Sequence, residues 1–214
     1  EWKWPRRRYV NERPAEYSFA MDVLAQTCPD TVLDVGPGET AWPRILENCG
    51  FRVTAVDRVE GYWQRYLNRH YFVRIADITT PNAFAGRRFG AITCISTLEH
   101  IDDFDTAVAH MLNLLVPGGT LICTFPYCHD TYVSNAYDHP DCSMRIKPRY
   151  LCRIFSRKQV DQWCRQHKVR LISEAHWRIF EGALWQHGAR IYPIERVRSD
   201  QVHHLGGFAF QKAK

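Results

Sequence analysis

The chain has 214 residues, a formal net charge of +5 and 45% hydrophobic residues. This length suits one domain with a sizeable core, and the charge is mild for a protein whose surface is built to bind nucleic acid. No apolar run approaches the roughly 18 residues of a membrane-spanning helix, and residues 1–8 lack the apolar stretch of a secretory signal. We therefore expect a cytoplasmic protein without a membrane span, in which the eight cysteines, none of them in a Cys-x-x-Cys pair, are reduced thiols.

Strand-like and helix-like segments alternate along most of the chain. The apolar runs predict strands over residues 31–36, 52–57, 71–77, 89–96, 120–126, 170–175 and 207–212. Helical spacing of apolar residues predicts helices over residues 14–27, 40–48, 103–115 and 156–167. Such alternation is typical of α/β proteins, in which helices cover both faces of an open, mostly parallel, doubly wound sheet. Ligands of these sheets bind beyond the carboxyl ends of the strands.

Two segments do not follow this alternation. Residues 127–155 and 177–204 are long and irregular in pattern, and we expect them to be insertions on the substrate side of one domain that spans residues 1–214, with a helical arm over residues 1–30. The first insertion is rich in aromatic residues, which suits a pocket for a small molecule or a sugar ring. Packing of a lid or core is the alternative interpretation.

Acidic residues stand at three successive strand ends. Asp34 precedes the glycine turn of Gly36 and Gly38, Asp57 ends the second strand, and Asp77 ends the third. The glycine pattern alone also fits a dinucleotide site, but Asp34 would repel a pyrophosphate. An aspartate about 20 residues after the turn is placed to accept from ribose hydroxyls. The pattern therefore indicates a ligand with a ribose, an adenine and a cationic end but no phosphate.

These motifs together resemble those of class I, Rossmann-like methyltransferases. The resemblance covers about residues 31–126 and rests on five stretches: VLDVGPG from Val32, VTAVD from Val53, ADI from Ala76, TLEHI from Thr97 and LLVPGGT from Leu114. It implies a seven-stranded sheet with an antiparallel last strand and S-adenosyl-L-methionine as cofactor. One departure is Thr40, which stands where the family often has a third glycine. The cofactor-binding residues that the motifs and the resemblance imply are Asp34, Gly36, Gly38, Asp57, Arg58, Asp77, Ile78 and Ser96.

A catalytic base is expected near the carboxyl end of the fourth or fifth strand, because a hydroxyl acceptor must lose its proton. Glu99 and His100 follow the fourth strand directly, and histidine has a suitable pKa near neutral pH. His139, in the first insertion, is a second candidate. The Glu99 and His100 pair, with a downstream histidine such as His139, also resembles the metal site of RNA 3′-terminal 2′-O-methyltransferases. Because Ser96 stands where that site has a further glutamate, we predict no metal ion there.

The leading hypothesis is a methyltransferase that acts on a small molecule, with the hydroxyl of a sugar or of a secondary metabolite as acceptor. An RNA-modifying 2′-O-methyltransferase is the alternative, motivated by Arg6–Arg8 and by the basic residues of segment 145–157. A non-catalytic module that only binds the cofactor is a further alternative, whereas a nucleotide-dependent oxidoreductase is disfavoured by Asp34. The sequence does not determine the acceptor atom or the oligomeric state, and a homodimer is one of the states it allows.

Overall fold

The computed structural model describes residues 10–58, 71–81, 83–84, 86–144, 148 and 150–214. In chain order the helices are α1 (Arg13–Thr27), α2 (Trp42–Asn48), α3 (Phe104–Asn113) and α4 (Arg157–His167). The strands are β1 (Thr31–Val35), β2 (Arg52–Asp57), β3 (Val73–Ile75), β4 (Phe89–Ile95), β5 (Leu115–Pro126), β6 (Val169–Phe180), β7 (Arg190–Val197) and β8 (Leu205–Lys212). Short 3₁₀ turns lie at Leu98–His100 and Ala136–Asp138. Residues 1–9 of the expected N-terminal arm lie outside the described residues.

One mixed sheet contains all eight strands in the order β3-β2-β1-β4-β5-β8-β6-β7. The strands β1 to β5 pair in parallel, while β8 runs antiparallel to both β5 and β6. The order reverses between β1 and β4, which is where such sheets open a crevice for ligands. The predicted α/β sheet with an antiparallel final strand is therefore confirmed.

The strand count differs from the expected seven. The second insertion, over residues 177–204, is not irregular throughout, because β6 continues to Phe180 and β7 pairs with it antiparallel as an eighth, edge strand. The fifth strand is also longer than the predicted range of 120–126, since it begins at Leu115 and runs through the Pro117-Gly118-Gly119 segment. A shift in register between Phe89 and Ala91 accommodates that segment beside β4.

Each face of the sheet is covered by two of the helices. On one face α3 and α4 pack their apolar side chains, including Met111 and Trp163, against β4, β5 and β8. On the other face α1 and α2 pack residues such as Phe19 and Trp42 against the same strands. Asp103 caps α3 by accepting a hydrogen bond from the Thr106 backbone N–H at 3.1 Å. None of the helices in the described part of the chain has the length and apolar character needed to cross a membrane.

Candidate functional site

The carboxyl ends of β1 to β4 border a cavity of about 260 Å³. It lies at the reversal of strand order, where the fold class leads one to expect a ligand. Most of the residues predicted from the sequence meet there. The lining includes Gly36, Asp57, Arg58, Asp77, Ile78, Thr97, His100, Asp102 and Asp103.

The glycine turn after β1 forms one wall of this cavity. Gly36 has φ +72° and Gly38 has φ +52°, a region that other residues adopt only with strain. A Cβ on Gly36 would stand 2.2 Å from Cγ2 of Thr97, whose hydroxyl donates to the Gly36 carbonyl at 3.0 Å. The need for glycine at position 36 therefore arises from contact with the segment after β4, in addition to any ligand. Gly38 meets no such neighbour among the described residues, and its positive φ is what favours glycine there.

Asp57 and Asp34 both lie against this turn. Asp57 Oδ2 accepts a hydrogen bond from the Gly38 backbone N–H at 3.1 Å, which ties the end of β2 to the glycine turn. Asp34 is buried on β1, and its Oδ1 accepts from the Thr93 hydroxyl of β4 at 2.7 Å. Its Oδ2 has no hydrogen-bond partner among the described residues. Burial, assisted by the negative charge of Asp57, raises the pKa of Asp34 to about 7.

Asp77 and Arg58 form the opposite wall. Asp77 Oδ1 accepts hydrogen bonds from the backbone N–H of Thr79 at 2.8 Å and from its hydroxyl at 2.7 Å. Arg58 lies 3.5 Å from the other carboxylate oxygen. Partial burial would by itself raise the pKa of Asp77, but the bonds from Thr79 and Arg58 outweigh it and lower the pKa. Asp77 is therefore a fixed anion at the rim, beside the buried Ile78 side chain.

His100 reaches the cavity from the 3₁₀ turn after β4. Its Nδ1 lies 2.5 Å from the Leu151 carbonyl oxygen, which can only accept, so Nδ1 carries the proton and the neutral ring has its lone pair on Nε2. Burial lowers the pKa of His100, which keeps the ring neutral near pH 7. Tyr150 packs edge-on against the ring at 4.8 Å between centroids. The side chain is thus held in the tautomer that a general base requires.

Glu99 is not among the described lining residues and lies buried beside His100 Nε2. Its Oε1 is 3.8 Å from His100 Nε2, and its Oε2 has no hydrogen-bond partner among the described residues. Burial raises the pKa of Glu99 to about 8, because the loss of hydration outweighs the opposing effects of its backbone hydrogen bond and of Arg13. Glu99 therefore carries a proton near pH 7 and faces His100 as a neutral carboxyl group.

Ser96 binds a residue that the sequence analysis missed. Its hydroxyl donates to Oε1 of Glu16 at 2.5 Å, and the Thr124 hydroxyl of β5 donates to the same oxygen at 2.7 Å. Arg13 pairs with the other oxygen of Glu16 at 2.9 Å. Glu16 is completely buried on α1, at a position whose helical spacing with Phe19 belongs to the apolar stripe. An acidic residue in such a stripe is the signal that could have revealed this network.

Arg153, from the first insertion, is the second residue that the sequence analysis did not place. Its side chain is buried and donates to the carbonyls of Glu99 at 3.3 Å and Ile101 at 3.0 Å. It also bonds Asp102 at 3.2 Å. The insertion thereby holds the segment that presents His100 to the cavity.

His139 lies away from the cavity in the described structure. It is absent from the described lining residues, and its ring packs against His187 with 4.4 Å between centroids. The geometry thus brings Glu99 and His100 together but places the other candidate base in a separate cluster.

The chain matches known proteins along most of its length. Residues 7–174 match a family model described as a methyltransferase domain. A ubiquinone biosynthesis O-methyltransferase of Coxiella burnetii is 35% identical over 98 residues, which are 42% of this chain and 41% of that protein. The chain therefore spans less than half the length of this curated relative.

Solved structures share the fold at low identity. A methyltransferase from Clostridium acetobutylicum, described as S-adenosylmethionine-dependent, superposes with a TM-score of 0.62 at 12% identity over 96% of this chain and 93% of its own. The N-methyltransferase NodS of Bradyrhizobium japonicum gives 0.59 at 15% identity over 100% and 92%. The family match, the motifs and the fold agree, and the chain belongs to the class I, S-adenosylmethionine-dependent methyltransferase family.

Proposed function

We propose that this chain binds S-adenosyl-L-methionine in the cavity at the ends of β1 to β4 and transfers its methyl group to a hydroxyl of a small molecule. The observation that carries the proposal is the charge of the cavity lining. Among the described residues, four aspartates line it, at positions 57, 77, 102 and 103, and the one arginine in that described lining, Arg58, is already paired with Asp77. Such a lining suits a ligand that is cationic or neutral and disfavours one that carries a diphosphate.

The residues present fit this cofactor. The carboxylates of Asp57 and Asp77 are the groups we expect to accept hydrogen bonds from the ribose and the adenine amine. Asp34, whose buried Oδ2 has no described partner, lines a small neighbouring cavity together with Gly36, and we assign it to the cationic amino acid end. When bound, S-adenosyl-L-methionine supplies a methyl group that its positive sulfur has already activated.

We assign to His100 the role of general base for the acceptor hydroxyl. Because Leu151 fixes the proton on Nδ1, Nε2 is the ring nitrogen that can take the proton from an acceptor hydroxyl. Glu99 and Arg153 act on the position of His100, the first from 3.8 Å beside Nε2 and the second through the backbone of residues 99–101. An oxygen acceptor also agrees with the name of the curated relative from Coxiella burnetii, an O-methyltransferase.

The structure weakens part of the evidence that suggested an RNA substrate. Two of the basic residues behind it, Arg153 and Arg157, are engaged by the carboxylates of Asp102, Asp161 and Glu174. The remaining ones, Arg6–Arg8 and Arg145, Lys147 and Arg149, lie outside the described residues. We therefore keep a small-molecule hydroxyl as the acceptor.

Calorimetry with S-adenosyl-L-methionine, S-adenosylhomocysteine and NAD side by side tests the cofactor assignment. We expect the first two to bind and NAD not to bind, and Asp57→Ala to weaken binding by roughly 1–3 kcal/mol through the loss of hydrogen bonds to a charged group. Binding of NAD alone would refute the assignment.

The catalytic assignment is tested by His100→Gln in a methyl-transfer assay against a panel of hydroxyl-bearing sugars and phenols. We expect the turnover number to fall by roughly 100-fold or more, as is typical for loss of a general base, with cofactor affinity unchanged. His167→Gln, at the far end of α4, is the matched control. A parallel loss of turnover and cofactor affinity would instead place His100 in the binding pocket alone.

A further inference from the structure

A separate cluster of potential metal ligands connects the two insertions. His139 and Asp141 belong to the first insertion and His187 to the second, and one ligand atom from each lies within 4.8 Å of the others. The Nδ1 atom of His139 is 3.9 Å from Oδ2 of Asp141, and the two imidazole rings are 4.4 Å apart between centroids. None of the three is among the described residues that line the cofactor cavity.

His187 supplies the second, independent observation. Only 6% of its surface is exposed, yet its Nε2 has no hydrogen-bond partner among the described residues. A buried ring nitrogen without a partner is costly unless another group satisfies it.

The backbone holds the two loops together before any ligand binds. Cys142 and His187 form an isolated antiparallel bridge, and the Ser143 N–H donates to the Gln186 carbonyl at 2.8 Å. Within the second loop the Gly182 N–H donates to the carbonyl of His187 at 3.0 Å. A Cβ on Gly182 would stand 2.6 Å from Cβ of His187, so the loop closes tightly around this histidine. The donors are therefore presented on fixed backbone, which lowers the entropic cost of assembling a site.

We infer that His139, Asp141 and His187 bind a divalent transition metal ion of the Zn²⁺ class and that the ion joins the two insertions. Two imidazoles and one carboxylate form a donor set that Zn²⁺ and Co²⁺ accept, whereas Mg²⁺ and Ca²⁺ prefer oxygen ligands alone. Ligand atoms around a tetrahedral Zn²⁺ are roughly 3.3 Å apart, given bonds of about 2.0–2.1 Å. The exposed side chain of Asp141 and the partly exposed ring of His139 can close that small difference by rotating about their side-chain bonds.

Cobalt(II) titration of the whole chain under a phosphine reductant tests this inference. Tetrahedral Co²⁺ gives visible d–d bands, and thiolate ligation gives a separate charge-transfer band in the near ultraviolet, so sites built from cysteine are distinguished. We expect one equivalent of Co²⁺ to bind with d–d bands and without the thiolate band, and Zn²⁺ to displace it. The readout requires neither S-adenosyl-L-methionine nor an acceptor, so its outcome is independent of the proposed methyl transfer.

The variants His139→Gln and Asp141→Asn change side chains that are at least partly exposed, and circular dichroism verifies that they fold. We expect each to bind Co²⁺ at least tenfold more weakly than the parent chain, and His167→Gln, a histidine outside the cluster, to bind it unchanged. The inference is wrong if the parent chain binds no Co²⁺ at micromolar concentration, or if both cluster variants bind it as the parent does.

Discussion

Gly36 shows how one residue combines two constraints. Its φ of +72° favours glycine, and Thr97 occupies the space that a Cβ would need. Gly86 has nearly the same φ, +76°, but no described atom lies within 4 Å of the point where its Cβ would stand. Comparison of substitutions at Gly36 and Gly86 therefore distinguishes the cost of backbone strain from the cost of steric collision within one protein.

We predict that Gly36→Ala destabilises the chain more than Gly86→Ala does. The strained backbone should cost each variant about 1–2 kcal/mol, and the collision with Thr97 should cost Gly36→Ala roughly 1–3 kcal/mol more. Urea unfolding of both variants measures the difference. Equal losses would mean that Thr97 moves away freely and that the glycine is needed for its backbone angle alone.

Among individual residues, those of the candidate site that directly follow a strand could be predicted from the sequence. Asp57, Asp77 and the glycine turn could be placed at one edge because each directly follows a recognisable strand, and parallel strands end on the same side. The buried state of Glu99 could not be predicted, since it depends on α1 and on the first insertion, which are distant in sequence. Arg153 looked like part of a basic surface because its acceptors, the carbonyls of residues 99 and 101, have no sequence signature.

At the scale of elements, α1 is attached to the sheet by a charged group as well as by apolar contacts. Glu16 lies in the same stripe as Phe19, Ala20, Val23 and Leu24, at spacings of three, four, seven and eight residues. Its carboxylate accepts from two hydroxyls at the ends of β4 and β5 and pairs with Arg13. The helix is thereby fixed in register over the carboxyl edge of the sheet.

Glu16→Ala should destabilise the chain by about 3 kcal/mol, because it leaves Arg13, the half-buried Ser96 hydroxyl and the buried Thr124 hydroxyl without this acceptor. Glu47→Ala is the matched control, since Arg44 and Glu47 form an ion pair of the same spacing on α2 that is exposed to solvent. Exposed pairs of this kind contribute about 0.5 kcal/mol or less. Chemical denaturation compares the two, and similar losses would show that the Glu16 network adds nothing beyond an ordinary surface pair.

The strand that the sequence failed to predict, β7, lies at one edge of the sheet. The strand β7 is mostly exposed or half-buried along its length and includes Pro193, so it lacks the apolar alternation that indicates a strand. It exists because β6 continues past residue 175 and offers it a pairing partner. The central strands were predicted because burial on both faces forces a continuous apolar run.

Across the whole molecule, the antiparallel half of the sheet contains buried histidines that the parallel half lacks among its described strands. His176 lies on β6 between β7 and β8, is 4% exposed, and has no hydrogen-bond partner for either ring nitrogen among the described residues. Tyr127 stacks on one side at 5.5 Å, and His203 lies at 4.7 Å. The carboxylate of Glu174 stands 3.8 Å away, beyond hydrogen-bond distance.

This burial makes the protein sensitive to acid. Burial first, and then the neighbouring His203, lower the pKa of His176 from 6.5 to about 4, despite the opposing effect of Glu174. The unfolded chain therefore takes up this proton near pH 6.5, while the folded chain resists it until about pH 4. The free energy of unfolding must fall as the pH decreases from 6.5 towards 4, and it is unaffected by this group above pH 7.

His176→Phe should remove the contribution of His176 to this pH dependence while it keeps an aromatic ring in the stack. The contribution of His204 should remain, because burial lowers its pKa to about 4 as well. We expect little change in the free energy of unfolding at pH 7.5, because neither ring nitrogen makes a hydrogen bond to a described residue that phenylalanine would lose. At pH 4.5 the variant should be more stable than the parent chain by on the order of 2 kcal/mol, since one pKa unit corresponds to about 1.4 kcal/mol. Denaturation series at both pH values measure this, with His167→Gln as the control at a half-buried histidine outside the sheet. A variant that loses stability equally at both pH values would show that His176 is held by contacts which require its nitrogens, and that its proton is not what limits the fold in acid.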